Sequence, residues 1–237
     1  KQHHHQTQMQ VHGESTRPFE RRFEPYQNNG GTTLAIPGKD FVVVAGDTRL
    51  SLGYSIQTRY STKLCKLTDQ CVISSAGMQS DAATLHKTLK TRLTNYQFQH
   101  GKPMSTVAIG QMLSNMLYNR RFFPFYTFNL VAGLDTDGRG VVFSYDAIGS
   151  YQAVDAGSQG TGQSLIQPLL DSQKSYRNQL LVPTYGPDNL SLQQAINLVK
   201  DSFTSAGERD IYTGDSVEIV IITKDGYKLE TLPLKRD

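Results

Sequence analysis

Thr32-Thr33-Leu34-Ala35-Ile36 and Phe41-Val42-Val43-Val44-Ala45-Gly46 are two β-rich runs joined by Pro37-Gly38-Lys39-Asp40. Proline presets one turn angle and glycine supplies conformations other residues avoid, so the pair predicts an antiparallel hairpin. Leu64 to Lys66 and Cys71 to Ala76 repeat the pattern around Thr68-Asp69-Gln70. After Gly77 the apolar period changes. Ala83, Leu85, Leu89, Leu93 and Tyr96 predict a helix of about 20 residues closed by Gly101. A second helix is expected from near Ser105, its N-cap, to Arg120, with Val107, Ile109, Met112, Leu113, Met116 and Leu117 as its apolar face. Strands return at Thr127 to Leu134, Gly140 to Tyr145 and Tyr151 to Val154. A helix is expected over Gly162 to Leu170, a polar surface insertion over Ser172 to Asn189, and a helix from Leu190-Ser191-Leu192 through Phe203. Val217 to Thr223 and Tyr227 to Thr231 predict a last hairpin around Lys224-Asp225-Gly226. Strands joined by hairpins make antiparallel sheets. Two such sheets stacked face to face, with one helix pair outside each, make an α+β fold: a four-layer α/β/β/α sandwich.

The chain has 237 residues, and residues 29–237 read as one folded domain. Residues 1–28 differ: they are rich in Gln, His, Arg and Glu with few aliphatics, and read as a flexible N-terminal extension. His3-His4-His5 within it reads as low-complexity sequence or an added tag rather than a metal site. The net charge of +3 is spread along the chain and makes no case for nucleic acid. No apolar run approaches the roughly 20 residues that cross a bilayer. Cys65 and Cys71 have no histidine nearby, so they are expected to be buried, reduced thiols of an intracellular protein. No metal or cofactor is expected.

Gly30-Gly31-Thr32-Thr33-Leu34-Ala35, Ala45-Gly46-Asp47-Thr48-Arg49, Lys63, Ser75-Ala76-Gly77-Met78, Gly160-Thr161-Gly162 and Arg209-Asp210-Ile211-Tyr212-Thr213-Gly214-Asp215 stand in this order. Together they resemble the landmarks of proteasome β subunits, over about residues 25–235. The stretches Phe122 to Asn129, Ser144-Tyr145-Asp146 and Ala206 to Asp215 are similar to the non-catalytic beta-6 branch of that family. The resemblance implies the N-terminal-nucleophile hydrolase type of four-layer sandwich. In active members, self-cleavage frees an N-terminal threonine whose hydroxyl attacks the peptide, with its own α-amine as base. By resemblance the acid of that site falls on Asp47, the lysine on Lys63, the second acid on Asp210, the neighbouring hydroxyls on Thr161 and Thr213, and the oxyanion donor on Gly77. The nucleophile falls on Gly31, sixteen residues before Asp47 and thirty-two before Lys63.

The alternative is an active threonine endopeptidase that uses Thr32. Thr32 is one residue short in both counts, and in a strand one residue turns the side chain to the opposite face unless a bulge intervenes. The preferred expectation is therefore no self-cleavage at Gly30-Gly31, with the propeptide-like extension still attached, and Gly31→Thr as the change to restore bond and nucleophile. Without catalysis, Lys63 between Asp47 and Asp210 is expected to form a buried ion network that Arg49 and Arg209 join, and Thr161 to cap the helix after it. The resemblance further implies a non-catalytic, structural place in the β ring of the 20S core, in ubiquitin-dependent protein degradation. The implied neighbours are the ring positions beta-5 and beta-7, the opposite β ring and the α ring. Assembly chaperones and unfolded protein substrates are the other implied partners, and the compartments are cytoplasm and nucleus. The aromatic run from Phe122 is expected either as an interface anchor or as core packing. Asp146 is expected to line the pocket of the neighbouring chymotrypsin-like subunit.

Overall fold

The computed structural model describes residues 22–181 and 190–237. Most of the extension and the second half of the 172–189 insertion therefore lie outside the described residues. The order is β1 (Thr32–Pro37), β2 (Phe41–Asp47), β3 (Leu50–Leu52), β4 (Ser55–Thr58), β5 (Leu64–Thr68), β6 (Cys71–Gly77), α1 (Gln79–His100) and α2 (Thr106–Tyr118). It continues with β7 (Thr127–Leu134), β8 (Gly140–Tyr145), β9 (Tyr151–Ala153), β10 (Gly157–Gly160), α3 (Gln163–Gln173), α4 (Leu192–Arg209), β11 (Ser216–Thr223) and β12 (Gly226–Pro233). One antiparallel sheet runs β10-β1-β2-β11-β12 and the other β5-β6-β7-β8-β9.

Strand alternation sorts the side chains into three cores. From β1, β2 and β11, Leu34, Ile36, Phe41, Val43, Ala45, Ile219 and Ile221 face α3 and α4, where Ile166, Leu170, Val199 and Phe203 meet them. From β6 and β7, Cys71, Ile73 and Val131 face α1 and α2, against Leu85, Leu89, Ile109 and Leu113. The intervening residues Ala35, Val42, Val44, Val72, Leu130, Ala132, Val220 and Ile222 fill the space between the sheets. That is the expected α/β/β/α sandwich, with one helix pair outside each sheet. Gly101 closes α1 in the left-handed conformation, and the Ser105 hydroxyl accepts the Ala108 amide at the start of α2. A capping box formed by Ser191 and Gln194 opens α4.

Three strands escape the pattern reading. β3 and β4 form a small separate hairpin, and β10 is Gly157-Ser158-Gln159-Gly160. Two glycines and two polar residues carry no β signal; tertiary pairing with β1 makes this segment a strand. β10 matters because Thr32 pairs with Gly160. Its end therefore lies beside the starts of β1, β5 and β11 and the ends of β2 and β6, all at one end of the sandwich. α3 also runs to Gln173, past the expected boundary. No helix of the described residues is long and apolar enough to cross a membrane.

Candidate functional site

Gly31 immediately precedes β1 in a left-handed conformation, φ +90°. A Cβ built there would lie 2.0 Å from Lys63 Cε, 2.5 Å from Lys63 Nζ and 3.0 Å from Asp47 Oδ1. The empty position thus points at the lysine and acid that the spacing selected. Lys63 Nζ stands 3.2 Å from Asp47 Oδ1 and donates to the carbonyls of Asp47 (2.9 Å) and Arg49 (2.7 Å). Asp47 is fully buried. Its Oδ1 accepts the Thr32 amide at 2.8 Å and its Oδ2 the Gly214 amide at 3.3 Å. Burial pushes the Asp47 carboxyl above its ordinary range, while the Lys63 charge and the two amides oppose that push. The lysine stem crosses the space of the missing side chain. Gly31→Thr therefore does more than add a hydroxyl: it must displace Lys63 and strain the backbone.

Thr32 looks the other way. β1 pairs with β10 from Thr32↔Gly160 and with β2 from Thr33↔Gly46, and neither ladder shifts register, so no bulge turns Thr32 toward Lys63. Its hydroxyl accepts the Gly162 amide at 2.9 Å and lies 2.7 Å from the Thr213 hydroxyl. Thr213 spends its proton on Asp210 Oδ2 at 2.6 Å, so Thr32 is the donor to Thr213. Thr161 also donates to Asp210 Oδ2, at 2.7 Å, and the Tyr212 amide binds Oδ1.

This geometry corrects two expectations. Asp210 does not flank Lys63: it collects the hydroxyls of Thr161 and Thr213 on the opposite face of β1. Thr161 does not cap α3: the N-cap is Gly162, one residue later, and the Thr161 hydroxyl donates to Asp210 while no helix amide among the described residues reaches it. The expected arginines also divide. Arg49 contributes its carbonyl to Lys63, but its guanidinium pairs with buried Asp215 at 2.9 and 3.1 Å, and Arg59 joins the same carboxylate. Arg209 sits in the last turn of α4, outside the Lys63 pair.

The chain leading into Gly31 is pinned beside the site. The Asn29 amide donates to the Gly77 carbonyl at 2.9 Å, and the Asn29 carbonyl accepts the Ser51 amide. The Asn29 side chain bridges the Ser51 carbonyl and the Gln79 amide at the start of α1. The Gly31 carbonyl accepts the Thr161 amide at 3.0 Å. Gly160 permits that approach, since a Cβ there would meet the Gly31 oxygen at 2.1 Å. Gly77, the expected oxyanion donor, lines a small cavity with Gly31, Gly160 and Thr161.

Sequence reading missed two further groups near the site. Asp215 closes the last landmark, but nothing local marks it as the anchor of two arginines. His86, on α1, meets the Ser75 hydroxyl at 2.7 Å, and Ser75 donates to Asn129 Oδ1. Ser75 has only one proton, so His86 Nε2 carries the hydrogen toward it. Burial lowers His86 to about 4, which keeps the ring neutral. Of the two cysteines, Cys71 is buried, its thiol pushed up to about 12, whereas Cys65 is only half-buried. Asp146 stands apart on an exposed turn, where its Oδ1 accepts the Ile148 and Ser150 amides.

A family model described as proteasome subunit matches residues 27–222. The chain belongs to the proteasome subunit family. A relative named proteasome subunit beta type-1 in Dictyostelium discoideum is 54% identical over 217 residues, covering 91% of each chain. One of the same name in Oryza sativa is 53% identical, covering 90% of this chain and 96% of its own. Proteasome subunit beta type-6 of Saccharomyces cerevisiae is 44% identical over 229 residues, covering 94% of this chain and 95% of its own. Membership of the proteasome subunit family agrees with the sandwich, with the ordered landmarks and with assembly alongside other proteasome subunits.

Proposed function

We propose that this chain is a non-catalytic, structural β subunit of a 20S proteasome core, which holds its place in a β ring while neighbouring subunits cleave peptides. One observation carries the reading: the position that faces Lys63 and Asp47 is Gly31, and the lysine stem fills its space. Self-cleavage requires a hydroxyl or thiol at that position, and peptide attack requires a free α-amine there. Gly31 supplies no side chain, and its nitrogen lies within the chain. Thr32 does not replace it, because its hydroxyl faces Thr213 on the opposite side of β1. N-terminal sequencing of the subunit from mature particles is expected to find residues ahead of Gly31, and an epoxyketone inhibitor to leave the chain unlabelled. A free Thr32 amine, or Thr32 carrying the inhibitor, overturns the reading.

The same reading puts the chain between the beta-5 and beta-7 ring positions, in cytoplasm and nucleus, with assembly chaperones as transient partners and unfolded proteins as substrates of the whole particle. Asp146 is assigned to the wall of the neighbouring chymotrypsin-like pocket: its turn holds one carboxylate oxygen and presents the group to solvent. Asp146→Ala is expected to alter cleavage preference at that neighbour without abolishing it. An unchanged peptide profile in purified cores removes the assignment.

A further inference from the structure

Asn29-Gly30 is the one place in the sequence where glycine follows asparagine. Such a pair can react with itself. The glycine nitrogen attacks the asparagine Cγ, a C–N bond closes a five-membered succinimide, and the side-chain nitrogen leaves as ammonia with the glycine proton. Water then opens either ring carbonyl, so one water is consumed and aspartate or isoaspartate results. Glycine favours the attack because no side chain shields its nitrogen.

The fold requires both residues. Gly30 has φ +68°, and a Cβ there would lie 2.8 Å from Tyr212 Cβ and 3.1 Å from Ser51 Oγ. Any other residue is therefore strained and crowded at once. Asn29 is buried and uses both ends of its side chain: Nδ2 donates to the Ser51 carbonyl at 3.1 Å, and Oδ1 accepts the Gln79 amide at 2.9 Å. The same bonds oppose the reaction. The carboxamide cannot turn toward the Gly30 nitrogen without giving up Ser51 and Gln79. The Gly30 proton is engaged as well, donated to Asn28 Oδ1 at 2.9 Å. The Asn29 amide is tied to the Gly77 carbonyl at 2.9 Å and its carbonyl to the Ser51 amide at 3.2 Å. Upstream, the Tyr26 ring lies 5.7 Å from that of Phe123, and its hydroxyl donates to the Pro124 carbonyl at 2.6 Å.

We propose that Asn29 is a site of spontaneous succinimide-mediated modification, held off while residues 26–31 stay pinned and reactive once that segment detaches. The change is one-way. A carboxylate at position 29 has no proton to donate to the Ser51 carbonyl, and an isoaspartyl linkage adds one atom to the main chain between fixed contacts. A detached segment that reacts does not regain its place, so isoaspartate at position 29 records that the extension has left the site. In assembled particles the inference rests on the non-catalytic reading, because cleavage at Gly30-Gly31 would release Asn29 with the extension.

The full chain, incubated at mildly alkaline pH in buffer and in urea, tests this by peptide mass mapping and isoaspartyl-specific enzymatic methylation. Asn29 is expected to convert in urea and to convert roughly tenfold more slowly when folded, the protection given by an opening that costs about 1.4 kcal/mol. Asn28→Ala frees the Gly30 proton and is expected to speed conversion of the folded chain about threefold, the weight of one hydrogen bond, with the rate in urea unchanged. Asn29→Gln, which would have to close a six-membered ring, is expected to abolish the product. Equal rates in buffer and urea overturn the proposal and leave the non-catalytic reading intact, as does an unchanged rate in folded Asn28→Ala or product that persists in Asn29→Gln. Cleavage at Gly30-Gly31, seen as loss of the extension's mass, overturns the non-catalytic reading and this inference with it.

Discussion

Gly31 and Thr32 are adjacent in the chain and open onto two different chemistries. The Gly31 side holds a buried ion pair, Lys63 with Asp47, in which one lysine serves a carboxylate and two backbone carbonyls. The Thr32 side holds a chain of hydroxyls ending on Asp210. The strand backbone separates them, because successive residues of β1 face opposite ways. The difference teaches that a set of catalytic landmarks is not one network. With no side chain at position 31, the landmarks fall into two clusters, each satisfied by its own partners.

The largest expected effect comes from breaking the charged side. Lys63→Met leaves Asp47 buried and unpaired, and is expected to cost about 3–5 kcal/mol in urea unfolding. Adding Asp47→Asn removes the stranded charge and is expected to recover part of that loss; no recovery would mean that the lysine acts only through the two carbonyls. Gly31→Thr comes next. A β-branched residue at positive φ, driven into the Lys63 stem, is expected to cost roughly 2–3 kcal/mol. Intact-mass measurement is expected to show no cleavage at Gly30-Gly31, and cleavage there would show that Lys63 moves aside readily.

On the hydroxyl side, Thr32→Val strands the Gly162 amide and breaks the link to Thr213, with an expected loss of about 1–3 kcal/mol. Combined with Lys63→Met, its effect is expected to add within about 0.5 kcal/mol, because the two side chains share no partner. Strong coupling would merge the two clusters into one. The smallest effect concerns His86, behind the charged side. Its folded pKa of about 4 lies below the ordinary 6.5, so the unfolded chain takes up a proton that the native ring refuses. Stability is then present above pH 6.5 and is lost as pH falls toward 4, by about 1–2 kcal/mol for a partly buried ring. His86→Gln is expected to flatten that part of the stability profile, and an unchanged slope assigns the acid loss to other groups.

The main strands and helices are legible in the sequence. Short β-rich runs bounded by turn residues mark β1, β2, β6, β7 and β11 as strands, and the spacing of Leu85, Leu89 and Leu93 marks a helix with a narrow apolar stripe. The register of Gly31 against Asp47 and Lys63 is a count, so it survived folding unchanged. β10 was invisible because glycine and polar residues become a strand only through pairing with β1. Asp210 was misassigned because a motif gives order along the chain and not the face of the sheet from which a side chain approaches. Asp215 and Tyr26 were missed for a related reason: their partners lie more than 90 residues away in the chain.

From the residues alone come the layer order, the family and the absence of a side chain at position 31. These follow from local periodicity, turn chemistry and counting, which act over a few residues at a time. The folded chain alone decides that Lys63 fills the gap, that Asp210 belongs to the threonines and that the extension lies on Phe123. Each of these depends on which distant groups come within hydrogen-bond or van der Waals reach. That is settled by the packing of two sheets against each other, and no local stretch of sequence encodes it.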